Sequence, residues 1–187
     1  MGILGFIRKK DVVVGTKVLV SAFDSRFADL LRADTEIYKR YYPATTATTF
    51  VDIYELMKAI TQNFDVVHLL CDVSSNGAIG GSEITGTELI ERCSASDVKL
   101  LWVASSNDAE GYIKGFKARG NRLNLVMTTN RHGPKFSDFL EKLLARMSHG
   151  DAMPVAWNAL CPQVPGSAHP DSPVTIFFAG RGSVRLR

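Results

Sequence analysis

Phe64-Asp65-Val66-Val67-His68-Leu69-Leu70-Cys71-Asp72 and Lys99-Leu100-Leu101-Trp102-Val103-Ala104-Ser105-Ser106-Asn107 decide the fold of this chain. Each holds a short, almost unbroken apolar run closed by polar residues. A strand wetted on one face alternates apolar and polar residues, whereas a strand covered on both faces does not. The two runs therefore predict central strands of a parallel sheet with helices on both sides. They are far too short to cross a membrane as helices.

Working outward, residues 73–86 are rich in Gly and Ser, and Asn76-Gly77 is a strong turn signal. Thr85 and Glu88 stand at capping-box spacing and open a helix over residues 85–93. Upstream, Ile53, Leu56, Met57 and Ile60 form one helical face behind Asp52 as N-cap, and the threonine-rich residues 44–51 suit a strand. Residues 25–41 carry Phe27, Leu30, Leu31, Ile37 and Tyr41 at helical spacing, stopped by Pro43, after a first strand at residues 17–20. Downstream, a helix over 109–119, a strand over 123–128, a helix over 136–147, a short helix over 153–160 and a strand over 174–179 complete the pattern. The alternation predicts an α/β fold: a mostly parallel six-stranded central sheet flanked by helices in three layers. It fills one domain, residues 15–187, behind an N-terminal segment, residues 1–14.

The composition excludes several classes. With 187 residues, 45% hydrophobic and 22% charged, the chain is ordinary globular protein. Its net charge of +3 comes with no basic stripe: Arg8-Lys9-Lys10 and Arg181, Arg185 and Arg187 read as solvated tails. No direct nucleic-acid binding is expected. Cys71, Cys93 and Cys161 have neither disulfide nor zinc spacing, so a reducing compartment, the cytoplasm, is expected. The order of residues 1–10, apolar then basic, is the reverse of a signal peptide, and Phe6 stands where myristoylation favours Ser or Thr. No transmembrane segment is expected. Gly80-Gly81 is not followed by Gly-Lys-Ser and is no phosphate loop, and no cofactor or metal is expected.

Ligands of doubly wound sheets gather at the carboxyl ends of the strands. For the two central strands those ends are residues 72–76 and 105–108. Simple structural roles are open to every residue there. Asp72 can cap a turn, His68 can be a core histidine, and Ser105-Ser106-Asn107-Asp108 can cap the next helix. Trp102 and Trp157 read as core.

The ordered set of features resembles the CHAT peptidase-like domains of the caspase fold, over residues 17–181. It rests on the runs quoted above, the Gly-rich hairpin before Ile84-Thr85-Gly86-Thr87-Glu88-Leu89, Phe139-Leu140, His149-Gly150-Asp151-Ala152, Ala156-Trp157 and the last strand ending at Gly180. In that family a histidine after the first central strand activates a cysteine after the second. By position, the resemblance puts Asp72 at the histidine and Ser106 at the cysteine. His68 matches a non-catalytic histidine of many members. Aspartate, with an ordinary pKa of about 3.9, is a poor base for a serine hydroxyl. Cys71 comes one residue early, which in a strand reverses the face.

The resemblance thus implies a catalytically degenerate module that works beside a larger protein partner, in bacterial stress or anti-phage signalling. An active cysteine or serine peptidase using Cys71 or Ser106 with His68 is the first alternative. The second is a response-regulator receiver, with Asp72, Ser105 or Ser106, and Lys135 at the corresponding strand ends. A receiver needs acidic residues after its first strand to hold Mg²⁺, and only Asp24 is available. Its Lys-Pro order is reversed in Pro134-Lys135, and its chains end before anything like residues 153–187.

Overall fold

Short apolar runs separated by amphipathic segments bury best when the runs pair side by side and the segments cover both faces. The computed structural model describes residues 12–14, 17–105, 115–116, 123–128, 133–160, 175–180 and 184–186. In chain order the elements are β1 (Val12–Val14), β2 (Lys17–Ala22), α1 (Ala28–Tyr41), β3 (Ala44–Thr49) and α2 (Ile53–Ala59). There follow β4 (Val66–Leu70), α3 (Gly86–Ala95), β5 (Leu100–Ala104), β6 (Asn124–Thr128) and α4 (Gly133–Ser148). Last come α5 (Met153–Leu160), β7 (Thr175–Ala179) and β8 (Val184–Leu186). Among the described residues no helix is long and apolar enough to cross a membrane.

Six strands form one sheet in the order β3-β2-β4-β5-β6-β7. The first five are mutually parallel, and β7 runs antiparallel to β6. The α/β fold with a mostly parallel central sheet is the one the sequence predicts, and its parallel part has five strands. β4 and β5 sit inside it with every residue buried, as unbroken apolar runs require. Side chains alternate between two cores. On one face, Val66, Leu70 and Trp102 pack with Tyr38 of α1, Leu143 of α4 and Trp157 of α5. On the other, Val67, Leu69 and Val103 pack with Leu56 of α2 and Leu89 of α3.

Local chemistry fixes the ends of the elements. Asp52 caps α2 by accepting from the N–H of Tyr54. Thr85 and Glu88 form the capping box of α3: the Thr85 N–H donates to Glu88 Oε2 at 2.7 Å and the Glu88 N–H to Thr85 Oγ1 at 3.4 Å. The hairpin between β4 and α3 turns at Gly77, whose φ of +85° suits glycine, and is held by antiparallel bridges Val73–Ile79 and Ala78–Thr85.

A second, two-stranded sheet joins β1 to β8 in parallel, with Val12 opposite Val184. Sequence reading leaves residues 12–14 in the N-terminal segment and finds no strand at 184–186. Three residues are too few to show a period, so only the pairing reveals them. The helix expected over 109–119 lies almost wholly outside the described residues.

Candidate functional site

The order β3-β2-β4-β5 means that the chain leaves β2 toward one edge of the sheet and returns on its other side to place β4. The reversal point is therefore the seam between β2 and β4, where parallel sheets open a crevice. The sequence argument chose the next seam, between the ends of β4 and β5. The structure moves the crevice by one strand, because pairing order is not written in the chain.

An open cleft of about 240 Å³ lies at that seam, lined by Phe23, Asp24, Arg26, Phe27, Asp72, Gly80 and Gly81. Beyond β2, the N–H of Phe23 still donates to Leu70 O at 3.3 Å, and the chain then turns away in a single 3₁₀ turn, Ser25–Phe27. Asp24 is its cap and accepts from the N–H of Arg26 at 2.8 Å. That turn aims the Arg26 side chain back across the strand ends. Its Nε donates to Asp24 Oδ2 at 2.8 Å and its Nη2 to Asp72 Oδ2 at 2.5 Å.

From the other wall, the Gly80 N–H donates to the backbone carbonyl of Asp72 at 2.9 Å. Gly80 has a φ of +58°, and a Cβ there would come within 3.0 Å of the Phe23 ring, so glycine lets the hairpin close over that ring. Among the described residues, Asp24, Asp72 and Arg26 give the cleft a single net negative charge. The backbone N–H of Arg26, then its guanidinium, hold the Asp24 carboxyl below its usual range. The carboxylates of Asp72 and Asp24 in turn raise the Arg26 guanidinium above its own.

Among the described residues, the sequence-predicted site residues do not assemble as one group. Asp72 lines the cleft. His68 is fully buried in the face of β4 that holds Tyr38 and Trp102. Cys71 is fully buried in the opposite core. Burial, with a smaller contribution from the Asp72 charge, pushes its thiol far above the ordinary range. A dyad of His68 with Cys71 is therefore excluded by the pleat. Ser105 is buried, and its N–H donates to Thr128 O at 3.0 Å, continuing the β5–β6 ladder. Lys135 lies in the first turn of α4. Ser106 and Asn107 lie outside the described residues.

Arg26 is the residue that sequence reading missed. Its partner Asp72 is 46 positions away, and no local pattern announces such a pair. The available signal was Asp24-Ser25-Arg26 directly after an apolar strand, a cap that could point a long cation over the strand ends. Chemically, the cleft offers charge and two aromatic rings. The two carboxylates that a receiver would use for Mg²⁺ are bridged by a guanidinium. Among the described residues no group of three His, Cys, Asp or Glu side chains could hold a metal ion. Compared with known protein families and with curated proteins, the sequence matches no family model and no curated protein.

Proposed function

We propose that this chain is a catalytically degenerate CHAT-like domain, a pseudo-peptidase whose strand-end cleft recognises a larger protein partner. One observation carries the reading. Asp72, the positional counterpart of the family's histidine, is a carboxylate engaged by the Arg26 guanidinium. The imidazole of His68 and the thiol of Cys71 are buried on opposite faces, and neither lines the cleft. A six-stranded sheet with one antiparallel member also supports a caspase-like fold over the five-stranded layout of a receiver. The resemblance suggests bacterial stress or anti-phage signalling as the setting, an analogy of fold only.

The test is chemical. The folded protein is treated with a serine-directed fluorophosphonate and, separately, with a thiol-directed peptide electrophile, and is then mapped by mass spectrometry. No adduct is expected on Ser106 or Cys71. Cleavage of a partner protein that disappears in Ser106→Ala or Cys71→Ala would overturn the proposal in favour of an active peptidase. Phosphoryl mass gained at Asp72 from acetyl phosphate and Mg²⁺ would overturn it in favour of a receiver.

A further inference from the structure

Asn76-Gly77 turns the hairpin between β4 and α3, and the pair is also chemically labile. The backbone nitrogen that follows an asparagine can attack the amide of its side chain. Glycine, with no Cβ, obstructs that approach least. Attack requires the nitrogen to give up its proton first. In the folded chain that proton is committed, because the Gly77 N–H donates to Ser74 O at 2.8 Å. The amide is held as well. Asn76 Oδ1 accepts from the Ala78 N–H at 3.2 Å and from the Ser74 hydroxyl. Ser74 Oγ accepts from the same Ala78 N–H at 3.0 Å, and the Ser74 N–H donates to Ala78 O at 2.9 Å. Asn76 is exposed to solvent, whereas Gly77 and Ala78 are buried.

We infer that Asn76-Gly77 is a self-modification site, kept latent by the closed hairpin and released when the hairpin opens. In the open state the Gly77 nitrogen loses its proton to solvent base and bonds to Asn76 Cγ. The Cγ–Nδ2 bond breaks, and the amide nitrogen leaves as ammonia with a proton from solvent. The product is a succinimide. Water then opens that ring at one of its two carbonyls, leaving an aspartyl or an isoaspartyl link. The sequence consumes only water.

The two products differ when the hairpin closes again. An aspartyl carboxylate keeps both donors, the Ala78 N–H and the Ser74 hydroxyl, and they bind a charged acceptor more strongly than an amide. An isoaspartyl link runs the main chain through Cβ and Cγ, which adds one atom before Gly77. Gly77 cannot give way to it, since even a Cβ there would sit 1.9 Å from the Gly115 backbone. The isoaspartyl chain therefore keeps the hairpin open, and with it Gly80 and Gly81, which line the cleft. A transient opening becomes a permanent one.

Ageing of the full chain at mildly alkaline pH tests the inference, with Asn76 followed by peptide mapping and the Gly77 N–H by amide hydrogen exchange. Exchange and attack both begin with loss of that proton, so both rates follow the open fraction. The folded chain is expected to modify Asn76 at least about tenfold more slowly than a synthetic peptide of residues 72–80. Ser74→Ala removes hydrogen bonds of the closed state and is expected to raise exchange and modification together, by about 2- to 10-fold. The Ile79 and Gly80 N–H groups donate to Ile84 O at 3.0 Å and Asp72 O at 2.9 Å. In purified isoaspartyl chains both are expected to exchange severalfold faster, and in Asn76→Asp chains no faster than in the unmodified protein. Modification of the folded chain at the peptide's rate overturns the inference. So does faster Gly77 exchange in Ser74→Ala without faster modification, or an isoaspartyl chain as protected as the unmodified one.

Discussion

The imidazole of His68 lies flat against the indole of Trp102, with ring centroids 4.7 Å apart and planes 4° from parallel. The two residues face each other in the β4–β5 register, and both are fully buried. His68 Nδ1 is 3.2 Å from the Tyr38 hydroxyl, and its Nε2 is 3.9 Å from Asp34 Oδ2. Ser137 Oγ donates to Asp34 Oδ1 at 3.2 Å, and Trp102 Nε1 to Thr128 Oγ1 at 3.1 Å. Polar contacts thus tie α1 and α4 to three central strands inside an otherwise apolar core. A histidine placed this way orders the core and takes no part in the cleft.

Asp34 is the residue on which this cluster depends. It has zero exposure, and a buried carboxyl is tolerated only where its partners satisfy it. Asp34→Ala takes the acceptor from Ser137 Oγ and the carboxylate from beside His68 Nε2, and is expected to cost about 1–3 kcal/mol in urea unfolding. A cycle with His68→Ala is expected to show coupling of about 0.5–3 kcal/mol, because each single change already disrupts the other's partner.

Two glycines of the β4–α3 hairpin should respond differently to alanine. A Cβ on Gly77 would sit 1.9 Å from the Gly115 backbone, while one on Gly81 would meet nothing within 4 Å. Both have positive φ, +85° and +73°, so each substitution carries strain of roughly 1–2 kcal/mol. Only Gly77→Ala must also push two backbones apart. Thermal melts are expected to show a small loss for Gly81→Ala and a clearly larger one for Gly77→Ala.

What the sequence made legible follows a physical division. β4 and β5 were readable because burial on both faces leaves an unbroken apolar signature. The capping box of α3 was readable because Thr85 and Glu88 are three residues apart. β1 and β8 were not, since each is too short to carry a period. Asp34 was not, since a charged residue on the buried face of α1 breaks the pattern that reveals the helix. The cleft was half legible: Asp72 is a strand-end residue by rule, but the seam it opens on and its pairing with Arg26 exist only once the strands have chosen neighbours.

Cysteine reactivity should separate Cys71 from a nucleophile. Burial raises its thiol, and that of Cys93, far above the usual range, so almost no thiolate forms near neutral pH. Under native conditions, alkylation mapped to the peptides containing Cys71 and Cys93 is expected to proceed only at the rate of unfolding. Denaturant should release both together. Fast native labelling of Cys71 would mean that it opens to solvent and would revive the peptidase alternative.

The Arg26 bridge makes a pH-dependent statement that can be read at one carbon. Asp24 titrates below its ordinary value of 3.8, first because the Arg26 N–H donates to it and second because of the guanidinium. A carboxyl lowered in the folded state stabilises it at pH values above the unfolded pKa, and the contribution is lost as pH falls through the folded one. Both side chains are exposed, so the bridge adds little to stability. Arg26→Ala is therefore expected to leave the melting temperature almost unchanged. In a carboxyl-carbon NMR titration it should move the Asp24 midpoint upward, yet still below the ordinary value, because the backbone donor remains. Arg26→Glu, which turns the cleft strongly negative, is expected to abolish capture of a protein partner that binds there. Partner capture unaffected by that reversal would place recognition on another surface of the domain.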